Sequence, residues 1–148
     1  MGRNVGRLVK KASNQLGRQF DQFAKAYDLT GMQMAIIDFL SYAEDKEYWQ
    51  RDIEREFNIQ RSTTTVLLQR MEKKQLIYRQ VSQADARQKS VHLTFKAESL
   101  AKECQNYFQQ ADNRLEQLFS TQEIDACMEI LYYYMSGQTT GKDENKKF

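Results

Sequence analysis

Not one of the 148 residues is proline, and only 6 are glycine. Proline breaks helices and glycine frees the backbone to turn, so a chain nearly without either carries a helical pattern as far as its apolar spacing lasts. Leu8, Ala12, Leu16, Phe20, Phe23 and Tyr27 recur every three or four residues and predict one long amphipathic helix from about residue 3 to Ala26. Thr30 is a good N-cap for a second helix, with Met34, Ile37, Phe39 and Leu40 as its apolar face up to about Ala43. The acidic stretch EDKE that follows reads as a loop.

A third helix is expected over about Gln50 to Phe57, with Ile53 and Phe57 facing inward. Asn58 tolerates the left-handed conformation that closes helices, so FNIQRS reads as helix, tight turn, helix. In the fourth helix, about 61–74, Thr64, Leu67, Leu68 and Met71 share one side. That leaves Arg61, Ser62, Thr63, Thr65, Val66, Gln69 and Arg70 on the other side or its margins. Hydroxyls donate to phosphate oxygens, glutamine pairs with adenine, arginine pairs with guanine or phosphate, and valine touches a thymine methyl. Such a face fits a DNA major groove. A solvated amphipathic helix would present a similar face, so the helix alone leaves both readings open.

The residues after the helix favour DNA. LIYRQVS (76–82) and SVHLT (90–94) are rich in strand formers and are joined by the polar loop QADARQK. A hairpin behind a recognition helix is a wing, placed at 82–90. Arg87 at its tip is positioned to enter a minor groove, Asp85 to hold Arg87, and Lys89 to add positive charge. Without DNA, the same Asp85 and Arg87 would form an exposed ion pair contributing ~0–1 kcal/mol to the loop.

The formal net charge of +2 conceals a segregation along the chain. Residues 1–27 hold six basic against one acidic side chain, and 58–96 hold eight against two; the segments 28–57 and 97–148 are acidic. Blocks of this kind place positive charge on particular surfaces, as phosphate binding requires. No apolar run approaches the ~20 residues of a membrane span, and the N-terminus lacks a signal peptide's apolar core, so a cytoplasmic protein is expected. Cys104 and Cys127 have no metal-ligand spacing and are expected to be free, partly buried thiols.

Three segments together carry a resemblance: LTGMQ (29–33), DIEREFNIQRSTTTVLLQRMEKKQLI (52–77) and DARQKSVHLT (85–94). In order and spacing they resemble the multiple antibiotic resistance regulator (MarR) family of winged helix-turn-helix transcription factors. The resemblance implies a mainly α (α+β) fold. It also implies an obligate homodimer that binds a pseudo-palindromic operator in double-stranded DNA and acts as a ligand-responsive repressor. The corresponding division is an N-terminal dimerisation helix over 1–28, the DNA-binding region over 29–95, C-terminal dimerisation helices over 96–136, and a flexible tail over 137–148. Stripes in the sequence agree. Leu100, Cys104, Phe108, Ala111, Leu115 and Leu118 mark a helix from about Phe95, and Ile124, Cys127, Met128, Leu131 and Met135 mark another from near Ser120. Gln75 stands where the family usually has the glycine that ends the recognition helix, which predicts a different helix end. Val66 replaces a frequent arginine, and Ala86 removes one of the paired wing arginines.

Family members that sense small molecules have a pocket between the dimer helices and the winged unit. Phe20, Phe23, Tyr27 and Tyr107 are the candidates to line one, although aromatics at helical spacing more often build core. His92 reads as a structural residue on a strand. With one histidine, no glycine-rich phosphate loop and no CxxC, the chain shows no catalytic or metal-binding pattern and no need of a cofactor. The competing reading is a winged-helix interaction or scaffold dimer without specific operator binding.

Overall fold

A computed structural model describes residues 2–137, in two compact units whose described residues are 2–105 and 106–137. Of the tail expected over 137–148, only Gly137 falls within the described residues.

The first unit contains α1 (Val5–Lys25), α2 (Gly31–Ser41), β1 (Tyr48–Trp49), α3 (Gln50–Phe57), α4 (Arg61–Lys73), β2 (Ile77–Val81), β3 (Lys89–Leu93) and the start of α5 (Phe95–Leu118). Its core gathers Ala24, Met34, Ile36, Ile37, Ile53, Leu68, Met71, Leu76, Val91, Ala97, Ala101 and Cys104, so each helix of the unit and the sheet contribute to one apolar interior. Removing a large side chain from such a core costs about 2–5 kcal/mol, as for a Leu68→Ala change.

Capping fixes where the helices begin. Thr30 Oγ1 accepts the Gln33 N–H while the Gln33 side chain accepts the Thr30 N–H, both at 3.1 Å, which satisfies two otherwise orphaned donors of α2. Asp52 Oδ2 accepts the Trp49 N–H at 2.7 Å at the head of α3. Thr94 Oγ1 accepts the Ala97 N–H at 3.3 Å at the head of α5.

Three helix ends share one geometry. Asp28 (φ 59), Asn58 (φ 49) and Gln75 (φ 60) are left-handed. In each case the next residue's N–H reaches back to a helical carbonyl: Leu29 to Ala24, Ile59 to Glu54, and Leu76 to Met71. The expectation for Asn58 holds. The expectation that Gln75 ends α4 differently does not: the glutamine adopts the glycine-type turn, because burial of Leu76 against the core outweighs the backbone strain. Two lysines tie three helix termini together. Lys74 Nζ donates to the Asp28 carbonyl at 2.6 Å, and Lys96 Nζ donates to the Lys74 carbonyl at 3.1 Å.

The sheet is antiparallel with order β1-β3-β2. The hairpin pairs Ile77 with Leu93 through to Val81 with Lys89, and β1 adds Tyr48 opposite Val91 and Trp49 opposite Ser90. Strand β1 is absent from the sequence reading, which ran the loop straight into α3. His92 stacks on Tyr78 with ring centroids 5.2 Å apart, and its Nε2 lies 2.6 Å from Ser90 Oγ.

The second unit holds the rest of α5 and α6 (Thr121–Met135), which begins at a capping box between Ser120 and Glu123. Serine donors hold the Glu123 carboxyl below the ordinary carboxylate range. No residue of α6 is buried: Ile124 is half-buried, and the exposed large apolar side chains of the helix range from 40% at Leu131 to 77% at Met135.

Candidate nucleic-acid interface

Helix α4 is seated by residues four and three apart: Thr64, Leu68 and Met71 are fully buried. The Thr64 hydroxyl, which would otherwise be orphaned in that apolar setting, donates to the Gln60 carbonyl at 2.9 Å. This seating turns Arg61, Ser62, Thr63, Val66, Gln69 and Arg70 to solvent as one contiguous face. Val66, at 47% exposed, is an apolar spot among polar groups. Because α4 starts without a side-chain cap, its first N–H groups and the positive end of its dipole stand beside Arg61, Ser62 and Thr63.

Thr65 differs from its neighbours. It is half-buried, its hydroxyl donates to the Arg61 carbonyl at 2.9 Å, and it accepts from Gln50 Nε2 at 2.9 Å. Gln50 Nε2 also lies 3.3 Å from the Arg61 carbonyl. The first residue of α3 thus pins the first turn of α4, and the Thr65 hydroxyl is engaged rather than free. On the far side, Arg79 Nε of β2 meets Glu72 Oε1 at 2.8 Å and locks α4 to the hairpin.

The wing loop is ordered by hydrogen bonds. The Arg87 N–H and Nε donate to Asp85 Oδ1 at 3.0 and 3.2 Å, and Nη2 reaches Oδ2 at 3.4 Å. These donors pull the Asp85 carboxyl below the ordinary carboxylate range. The Arg87 side chain is nonetheless 89% exposed. Lys89 is exposed at the start of β3. Ser82, buried at the base of the loop, accepts the N–H groups of Ala84 and Asp85 at 3.1 and 3.2 Å and donates to Glu47 Oε2; the other oxygen of Glu47 accepts the Gln83 N–H at 2.7 Å. The Glu47 carboxyl is held low by those donors, Ser82 first.

Sequence reasoning missed Glu47, Gln50 and the Trp49–Arg51 pair, in which the Arg51 guanidinium sits 4.3 Å from the Trp49 ring centroid. Gln50 is the first residue of α3, but periodicity cannot say what a polar side chain touches. Glu47 sat in a stretch whose acidity looked like ordinary solvation.

Of the pocket candidates, Phe20 and Phe23 meet as tilted rings 5.8 Å apart, Phe23 and Tyr27 meet edge to face at 5.4 Å, and the Tyr27 hydroxyl donates to Glu103 at 3.2 Å. Phe20 and Phe23 pack against the core. Tyr107 belongs to the second unit, where its ring meets Phe108 at 5.5 Å. Cys104 is fully buried beside Asp38, and burial pushes its thiol up to about 12. Cys127 is exposed, so the expectation of a partly buried thiol there is corrected: among the described residues of the second unit none covers its turn of α6. Among the described residues no cluster of metal-ligating side chains occurs, and no helix is long and apolar enough to cross a membrane.

A helix-turn-helix locked to an antiparallel hairpin and braced by a third strand is a winged helix-turn-helix, the architecture of a large class of transcription regulators. The family model described as MarR family matches residues 27–88. The transcription regulator MarR from Oenococcus oeni PSU-1 is 47% identical, with a TM-score of 0.76 over 90% of this chain and 99% of that one. The MepR–DNA complex from S. aureus is 25% identical, with a TM-score of 0.78 over 90% of this chain and 97% of that one. S. aureus MepR in its DNA-binding conformation, also 25% identical, gives a TM-score of 0.80 over 90% of this chain and 98% of that one. Among curated proteins none matches. The chain belongs to the MarR family, whose members are transcription regulators and not enzymes.

Proposed function

We propose that the protein is a homodimeric repressor that reads a pseudo-palindromic operator and releases it in response to a small-molecule effector. The observation that carries the DNA-binding part is the pairing of two presented surfaces: the solvent-facing side of α4 and an exposed Arg87 held by Asp85 on the adjoining wing. Arg61, Ser62, Thr63, Thr65, Val66, Gln69 and Arg70 take the major groove. Arg87 takes the minor groove, with Asp85 orienting it and Lys89 adding charge. The solved complex of S. aureus MepR with DNA supports this use of the fold.

Dimerisation is supported by the uncovered apolar side chains of the second unit, since soluble monomers rarely leave such stripes open. In this reading residues 1–28 and 96–136 build the dimer and 29–95 reads DNA. A two-fold dimer sets its recognition helices about one DNA turn, ~34 Å, apart. The aromatic row Phe20, Phe23 and Tyr27 is the proposed effector contact.

The test is a fluorescence-anisotropy titration on duplex from upstream of the protein's own gene and on scrambled duplex, at two salt concentrations, followed by selection from random duplex. A ~10³-fold preference at physiological salt establishes sequence-specific binding. Equal, weak, salt-sensitive binding to every duplex favours the scaffold reading, with which the apolar Val66 at the centre of the α4 face agrees.

A further inference from the structure

We infer that Glu47, outside the wing and outside the recognition helix, is the positioning residue that sets the posture of Arg87 for the minor groove. The inference rests on the DNA-binding reading above.

A continuous series of hydrogen bonds joins the two residues. Glu47 accepts from the Ser82 hydroxyl and from the Gln83 N–H. The Ser82 oxygen accepts from the N–H groups of Ala84 and Asp85, and the Asp85 carboxylate accepts from the N–H and guanidinium of Arg87. Ser82, Gln83, Ala84, Asp85 and Arg87 are thereby joined to one carboxylate. Glu47 is itself fixed, because the next two residues pair with β3 at Val91 and Ser90.

The hairpin cannot do this alone. Its last strand pair is Val81 with Lys89; beyond it the backbone bonds Ser82 N–H to Gln88 and Gln88 N–H to Asp85, with the side-chain bonds of Ser82 and Asp85 to loop N–H groups, close the loop upon itself. Those bonds keep the shape of the loop while leaving its tilt about the strand ends undetermined. Glu47 supplies the external brace that fixes the tilt. Both oxygens of the Glu47 carboxylate are occupied by loop donors, charge-assisted bonds that are stronger than neutral ones.

The experiment uses the full-length protein, the duplex it selects from a random library, and the variants E47Q, S82A, R87A and E47Q/R87A. E47Q is expected to weaken binding roughly 10-fold, with hydroxyl-radical protection lost at the wing's minor groove and retained across the major groove. E47Q/R87A is expected to bind as R87A does, because Glu47 acts through Arg87. Additive losses in the double variant, or wild-type affinity for E47Q, overturn the inference. Thermal midpoints identify a folding defect; if E47Q unfolds, S82A, which keeps the Gln83 bond, carries the same cycle with R87A. Failure of the wild type to select any duplex defeats the DNA-binding reading itself and is thereby distinguished.

Discussion

Arg87 turns its backbone N–H and its guanidinium onto the same oxygen of Asp85, at 3.0 and 3.2 Å, while 89% of its side chain stays exposed. The aspartate therefore fixes the direction of the arginine without covering it. Arg87→Ala should lower affinity for the selected duplex at least roughly 10-fold and leave the thermal midpoint in place, because exposed pairs contribute little to stability. Asp85→Asn should fall between. A midpoint that drops with affinity in anisotropy and thermal scans would show that Arg87 is merely structural.

Gln75 stands at φ 60, where any side chain is strained. Gln75→Gly should raise unfolding free energy in urea by about 0.5–1 kcal/mol, since relief of the strain exceeds the added freedom of the unfolded glycine. A loss of stability would mean that the Gln75 side chain makes a compensating contact.

Thr30→Ala removes the acceptor that holds the Gln33 N–H at 3.1 Å. Loss of an N-cap of this type costs about 1 kcal/mol, and Thr30→Ser should recover most of it. Equal unfolding midpoints for Thr30→Ala and the wild type would show that the cap contributes nothing.

The Cys104 thiol is raised from 9.0 to about 12 by burial and by Asp38. The folded protein keeps the proton that the unfolded chain releases, so this contribution to stability is complete below pH 9.0 and is lost as pH rises towards 12. A Cys104→Ala protein should show a flatter alkaline decline in denaturant titrations. In a Cys127→Ser background, an aromatic disulfide reagent should reach Cys104 only after unfolding; stoichiometric labelling of the native protein at pH 8 would refute its sequestration.

Leu131 on α6 is 40% exposed, and Met128 on the preceding turn is 44% exposed. If this face is the dimer seam, Leu131→Arg should shift sedimentation towards the monomer and weaken operator binding together. A persistent dimer would locate the seam elsewhere.

The helices were legible because their apolar residues keep time with the helical repeat: α3 falls on Gln50–Phe57 as expected, and α4 on Arg61–Lys73 within a residue of the expected end. The closing role of Asn58 was legible from its residue type, and the Asp85–Arg87 pair from a spacing of two. Strand β1 was not, because two residues have no period and Tyr48 and Trp49 are extended by pairing with Val91 and Ser90 more than 40 positions later. Glu47 was hidden for the same reason, since its partners Ser82 and Gln83 are 35 and 36 residues away. Thr65 was half legible: its place on α4 followed from periodicity, but the engagement of its hydroxyl by Gln50 depends on how two helices cross.

The two lysine contacts that join the Asp28 carbonyl, Lys74 and Lys96 make the end of α1, the end of α4 and the start of α5 one mechanical joint. A joint built from ammonium groups in solvent differs from one built by packed side chains. It is a soft coupling, two single hydrogen bonds from long, exposed side chains to backbone carbonyls, and it lies at the opposite end of α4 from Arg61. The end of α1 is therefore tied to the last turn of the reading helix by side chains that carry their own rotamer freedom, a tether and not a rigid wedge.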